Sequence, residues 1–264
     1  MRIMRKGQAI NLQLIAALQY ARGLLPLLLG LAIWQAFGPE KSPYFPPPSA
    51  WLDSIVFLAR NGKLWPALAA TVTTFAAGTG LACAIGFSLG LLIGRSRPLR
   101  RALGPLLEFC RGLPPPVLVP VAVLLLGYAE SLKLLVVVWV SIWPVLLNTS
   151  MAIGQLDELL IDVSRTFHFN AVTTLRKIVA PAVVPAFLLG VRIAIPLAII
   201  ITLLVEMLTS VPGIGSLIVT SQRQFRPAEV YGLLVLVGIL GLAVNAIFTS
   251  LERAVLKRWP PTLQ

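Results

Sequence analysis

Few side chains in this sequence are equipped for chemistry. The chain holds one histidine, His168, two cysteines, Cys83 and Cys110, and ten carboxylates against 22 lysines and arginines. Catalysis would need a nucleophile beside a base, and no such motif occurs. No Gly-Lys-Ser/Thr loop is present to cradle phosphates, so no ATP chemistry is expected of this chain. The cysteines lie in or beside apolar runs without metal-ligand spacing, which predicts buried, unpaired thiols and no metal. What remains is a set of polar groups embedded in apolar sequence: Ser141, Asn148, Arg192, Thr202 and Glu206. Such groups are expensive in lipid, so they face a cavity or a partner helix and mark candidate positions along a solute pathway. Two readings stand for Glu206: pathway wall, or a structural pair with backbone amides or a basic group near the outer surface.

The elements that position these groups follow from composition. With 57% hydrophobic and 12% charged residues and a mean hydropathy of +0.87, the chain is a membrane protein. A helix needs about 20 apolar residues to cross a hydrocarbon core of about 30 Å. Runs bounded by Pro, Gly and charge predict an all-α, polytopic single domain over 1–264. Its six spans lie near 23–37, 66–93, 117–127, 134–153, 186–208 and 230–251. The first run has no small-residue cleavage site after Trp34 and is read as a retained helix. In the second run Gly86, Gly90 and Gly94 recur every four residues, baring one helix face for close packing. Between the first two runs, Ser49 is expected to cap a short helix whose Trp51, Ile55 and Leu58 face suits the membrane surface.

The formal charge of +12 does not form a nucleic-acid stripe; the basic residues cluster between apolar runs. One set of loops and ends holds Arg2, Arg5, Lys6, Arg22, Arg95, Arg97, Arg100, Arg101, Arg111, Arg165, Arg176, Lys177, Arg253, Lys257 and Arg258. The other holds Lys41, Arg60, Lys63, Lys133, Arg223 and Arg226. This asymmetry places both termini and the loop after the fourth span in the cytoplasm.

That loop, residues 155–181, is unusually polar for its setting. Leu160, Val163 and Phe167, then Val172, Leu175 and Val179, describe two short amphipathic helices. Phe167, His168, Phe169 and Asn170 lie between them, with Asn170 placed to cap the second. Pro181 and Pro185 are expected to turn the chain before the fifth span. A helical elbow with an aromatic tip suits a groove on a partner. A merely solvated connection is the alternative.

The spacing resembles the permease signature of bacterial ABC importers: E-A-A, three residues, Gly, nine residues, I-x-L-P. Asp162, Val163 and Ser164 stand at the E-A-A positions, His168 at the glycine, and Ile178 to Pro181 at the I-x-L-P. Segments such as FPPPS, RGLPPPVLVP, WPVLLNT, PAVVPAFLLGVRIA and VEML with GIGSLI are similar to the nitrate, sulfonate and taurine branch. The resemblance implies the type I importer permease fold and a pathway for a small anionic solute. It also implies a second permease subunit, expected to be an identical copy. Asp162 to Asn170 would dock on ATPase subunits that hold the ATP and magnesium, and an extracytoplasmic binding protein would deliver the solute. The long loop from Thr209 to Glu229, with Arg223 and Arg226, is the expected docking surface for that binding protein. His168 at the glycine position implies either a reshaped elbow or a contact made by the histidine itself. Against this stand an ion-coupled secondary transporter, for which Glu206 alone would serve as coupling carboxylate, and a non-transporting membrane subunit.

Overall fold

The computed structural model describes residues 25–39, 42 and 44–257, without the side chains of 158, 160, 161, 165 and 171. Arg2, Arg5, Lys6, Arg22, Lys41, Arg258, the start of the first run and the side chains of Leu160 and Arg165 lie outside the described residues. In chain order the helices are α1 (Leu25–Phe37), α2 (Pro48–Arg60), α3 (Leu64–Arg95), α4 (Arg97–Gly112), α5 (Pro115–Leu126) and α6 (Glu130–Gly154). They continue with α7 (Glu158–Thr166), α8 (Ala171–Thr174), a π-helical turn (Leu175–Val179), α9 (Ala180–Thr209), α10 (Ile214–Arg223) and α11 (Pro227–Leu256).

Among the described residues four helices are long and apolar enough to cross a membrane: α3, α6, the continuous Val172–Thr209 stretch and α11. A fifth arises if α4 and α5, bent by 91° across Leu113 and Pro114, form one broken span. Within its described part, α1 falls short of spanning length. The short third run therefore has a physical basis. Pro114, Pro115 and Pro116 end α4 and restart the chain at a right angle, Pro115 supplying a pre-set φ at the first turn of α5.

The centre of the molecule is α3 packed in parallel against α6. A Cβ on Gly78 would meet Val137, on Gly86 Val145, on Gly90 Thr149 at 2.7 Å and on Gly94 Ile153 at 2.9 Å. The offset between the two helices never changes along this stretch. Glycines every four residues thus let the helix backbones close to a distance that a methyl group would forbid. Gly80, off this face, has nothing within 4 Å. On the other side of α6, Gly190 of α9 sits against the Pro144 carbonyl, where a Cβ would come within 2.7 Å. Val145, Val191, Ala194 and Ile195 fill the seam.

Four expectations change. Pro181 and Pro185 do not turn the chain: one helix runs through both. The π turn is the reason. Ala180 donates its N–H to the Leu175 carbonyl, five residues back, so the wider ring just before Pro181 absorbs the donor and space that proline denies. Ser49 does not cap α2. Pro47 stands at the cap and Pro48 inside the first turn, while Ser49 exchanges hydrogen bonds with the Gln35 amide at 3.0 and 3.1 Å. The face of α2 carrying Trp51, Ile55 and Leu58 is also not spread on the bilayer. It packs on α11 at Gly232, with Leu58 joining Leu64, Ile214, Ile218 and Leu233 in a buried cluster. Cys83 and Cys110 are free but half-buried rather than buried.

Candidate functional site

The elbow predicted after the fourth span is built by two local closures. Asp157 Oδ1 accepts the Leu159 N–H at 2.9 Å and starts α7. At its end Phe167 donates to the Val163 carbonyl at 3.0 Å and Phe169 to the Ser164 carbonyl at 2.9 Å. Between them His168 has φ 51°. This is the helix-ending motif in which one residue takes the left-handed conformation, the place where glycine is preferred. The turn therefore keeps the shape a glycine would give it, with a histidine in the position. Ser164, whose carbonyl closes the motif, is buried, while Asp162, Val163, His168 and Asn170 are exposed. Phe167 is 68% exposed and lies 6.0 Å from Phe169, over whose ring Lys177 places its Nζ at 5.2 Å. Asn170 Oδ1 accepts the Thr173 N–H at 2.7 Å and starts the next helix.

The same closure recurs at the opposite end of the molecule, within the Thr209–Glu229 stretch that is a long loop by sequence and folds into α10 here. There α10 ends with the Phe225 N–H on the Gln222 carbonyl and the Arg226 N–H on the Ser221 carbonyl, at 3.1 and 3.0 Å. Phe225 has φ 52° and is 84% exposed. Arg223 is exposed beside it. Arg226 is braced: it pairs with Glu229 at 3.2 Å, and Glu229 also accepts the buried Ser221 hydroxyl at 2.7 Å.

The polar groups inside the spans separate into four environments. Glu206 is fully buried where α9, α3, α6 and α10 meet. Thr71 Oγ1 lies 2.9 and 3.0 Å from its two oxygens, the Gly215 N–H donates to Oε2 at 2.9 Å, and Lys133 Nζ stands 3.5 Å from Oε1. Lys133, expected in an outer loop, is also fully buried. Its ammonium holds the Pro212 carbonyl at 2.8 Å and Glu130 at 3.0 Å. Its stem carries it into the node from the first turn of α6, a position that loop counting could not distinguish from an exposed one. Thr202 is buried and bonds the Ala198 carbonyl at 2.7 Å, whereas the buried Ser141 hydroxyl has no hydrogen-bond partner among the described residues. Arg192 is half exposed and lies 3.8 Å from Glu252 of α11.

Asn148 is the one pathway candidate that lines a cleft of about 370 Å³ between the α4–α5 bend, α6 and α9. Its Nδ2 donates to the Pro144 carbonyl at 2.8 Å. Arg111, Trp139 and Trp143 join it there, and none of the three was singled out as a pathway residue. Their signal in the sequence was faint. Arg111 reads as one more basic loop residue, and the two tryptophans, four apart and 5.5 Å between rings, read as core.

Over residues 84–259 the sequence matches the family described as binding-protein-dependent transport system inner membrane component. The chain belongs to that family. It is 30% identical over 250 residues to a bicarbonate transport system permease protein of Synechococcus elongatus, covering 89% of this chain and 90% of that one. It is 32% identical over 186 residues to a nitrate import permease protein of Synechocystis, covering 70% and 68%. The fold matches a chain of the MetNI methionine ABC transporter with a TM-score of 0.64 at 16% identity, over 75% of this permease and 98% of the solved chain. The protein is thus a multi-pass inner-membrane permease subunit of an ABC importer, which sets aside the secondary-transporter and non-transporting readings.

Proposed function

We propose that this permease takes its energy from separate ATPase subunits that dock on the elbow at Asp162–Asn170, and that it passes a small oxyanion delivered by an extracytoplasmic binding protein. The observation that carries the docking half is the exposed Phe167 beside a half-buried Phe169, flanking a His168 whose left-handed backbone costs local conformational energy. Aromatic anchors on a rigid turn are the kind of feature that supplies most of the affinity at an interface. His168 keeps the family turn, so its imidazole is free to meet the ATPase surface. Two copies of the chain would form the pathway, with α5, α6 and α9 as its walls and the elbows converted by ATP-driven closure into alternate openings.

The solute half draws on the two relatives named for bicarbonate and nitrate. It is supported by the cleft, whose one cation is Arg111 in an otherwise mainly apolar setting with Asn148. One guanidinium favours a monovalent anion yet holds it weakly enough to release it. Glu206, saturated by Thr71, Gly215 and Lys133, stands outside that route as part of the frame. The test is reconstitution in proteoliposomes with the ATPase and binding protein, comparing bicarbonate, nitrate and an alkyl sulfonate as stimulants of ATP hydrolysis. Stimulation by one of these anions supports the reading. Stimulation only by a neutral or cationic solute contradicts it.

A further inference from the structure

We infer that Phe225 is the anchor on which the solute-binding protein seats, with Arg223 as its electrostatic guide; this rests on the binding-protein-dependent reading above. Three observations converge on the tip of α10. First, an aromatic residue holds φ 52° with 84% of its surface exposed, so neither backbone preference nor burial accounts for a phenylalanine there. Second, the tip is rigid. Gly215 lies against the Leu203 carbonyl, its N–H bonds Glu206, Ile214 and Ile218 are buried, and Ser221 and Arg226 are tied to Glu229 beneath Phe225. A fixed aromatic loses little freedom on binding, which is what a docking anchor requires. Third, the charge around it is one-sided. From Ser221 to Glu229 the one carboxylate is Glu229, 7% exposed and already engaged, while Arg223 is exposed and Arg226 half exposed.

The complementary surface is an apolar socket with an acidic rim. The charge asymmetry of the loops puts this end on the extracytoplasmic side, where the binding protein arrives. Arg226 is chiefly a brace, so of the two arginines in this loop Arg223 is the one presented to a partner.

The informative variant is Phe225→Gly. Glycine accepts φ 52° without strain, so the helix end is kept or firmed while the aromatic is removed. The complex of permease and ATPase is placed in nanodiscs of phosphatidylethanolamine and phosphatidylglycerol. The probe is a purified binding protein, loaded with bicarbonate or nitrate, that stimulates wild-type hydrolysis. Phe225→Gly is expected to raise the Kd for it about tenfold or more, and Phe225→Trp to stay within about threefold of wild type. Arg223→Gln should slow association and flatten its salt dependence. Tyr128→Ala, which removes another exposed aromatic at the α5–α6 turn of the same end, should leave the Kd unchanged. Wild-type affinity in Phe225→Gly overturns the inference. So does an equal loss in Tyr128→Ala, or a loss in the wild type on replacing phosphatidylglycerol by phosphatidylcholine that matches the variant's, since Phe225 would then be reading headgroups. If no binding protein stimulates the wild type, the proposed delivery by a binding protein itself fails, a distinct outcome.

Discussion

The two tips of this permease use one device for opposite arrangements of side chains. At the elbow, buried Ser164 closes the turn, His168 takes the left-handed position, and Phe167 and Phe169 flank it. At the far tip, buried Ser221 closes the turn, Phe225 takes the left-handed position, and Arg223 and Arg226 surround it. Each places an exposed aromatic on a backbone that a glycine would occupy more easily. What differs is the foundation. The far tip rests on buried charge, with Glu229 under it and the Glu206–Lys133 node at the base of α10. The elbow instead is joined to its span through the π turn at Leu175–Val179. A tip set on a buried network is held in one place, whereas a tip joined by an irregular helix turn has a natural point of bending. If both ends dock partners as proposed, the elbow is the one built to move.

The largest effect should come from removing the foundation of the far tip. Lys133→Ala leaves Glu206 buried without its cation and the Pro212 carbonyl without its donor. A loss of about 3–5 kcal/mol is expected, read as a large drop in melting temperature of the detergent-solubilised protein. Replacing both partners, Lys133→Met with Glu206→Gln, should recover much of it. An undisturbed melting temperature in Lys133→Ala would remove the node from the account.

A smaller effect tests the brace. Ser221→Ala deletes the 2.7 Å hydrogen bond to buried Glu229 and should cost about 1.5–3 kcal/mol, because the acceptor is charged. Hydrogen exchange should then rise at residues 221–229 and not at 164–170. Equal exchange at both tips would show that their foundations do not differ.

The smallest effect has the opposite sign. His168→Gly restores the residue that the left-handed turn favours and should stabilise α7 by about 1 kcal/mol. If the histidine contacts the ATPase, the complex weakens although the permease gains stability. Unchanged complex affinity would assign His168 to the turn alone.

Much of this was legible in the sequence because it depends on periodicity. Gly86, Gly90 and Gly94 announced a close helix contact without naming α6 as its partner. The stripes around Phe167 announced a helix on each side of the turn, though the second is the start of the long Val172–Thr209 helix and not a short one. What was not legible depends on distant or local geometry. The face of Trp51, Ile55 and Leu58 was visible as apolar, but amphipathicity does not say whether lipid or α11 covers it. Pro181 and Pro185 suggested a turn because the proline rule is local, and the π turn that accommodates them has no sequence mark of its own. Lys133 and Glu206 lie far apart in the chain, and only packing brings them together. Phe225 was passed over between two arginines because a left-handed backbone at a phenylalanine is the improbable case.

The claim that ATP energy enters at the elbow is tested most directly by ATP hydrolysis on the tagged permease, purified from membranes in mild detergent with its ATPase. Wild type is set beside Phe167→Ala/Phe169→Ala. Both side chains are solvent-facing or partly so, and the helix-ending hydrogen bonds are made by backbone, so the variant should keep its helix content and melting temperature. The predicted result is a folded permease that has lost its ATPase, with associated hydrolysis down by about thirtyfold. A folded variant that retains the ATPase and hydrolyses ATP like the wild type would contradict the account.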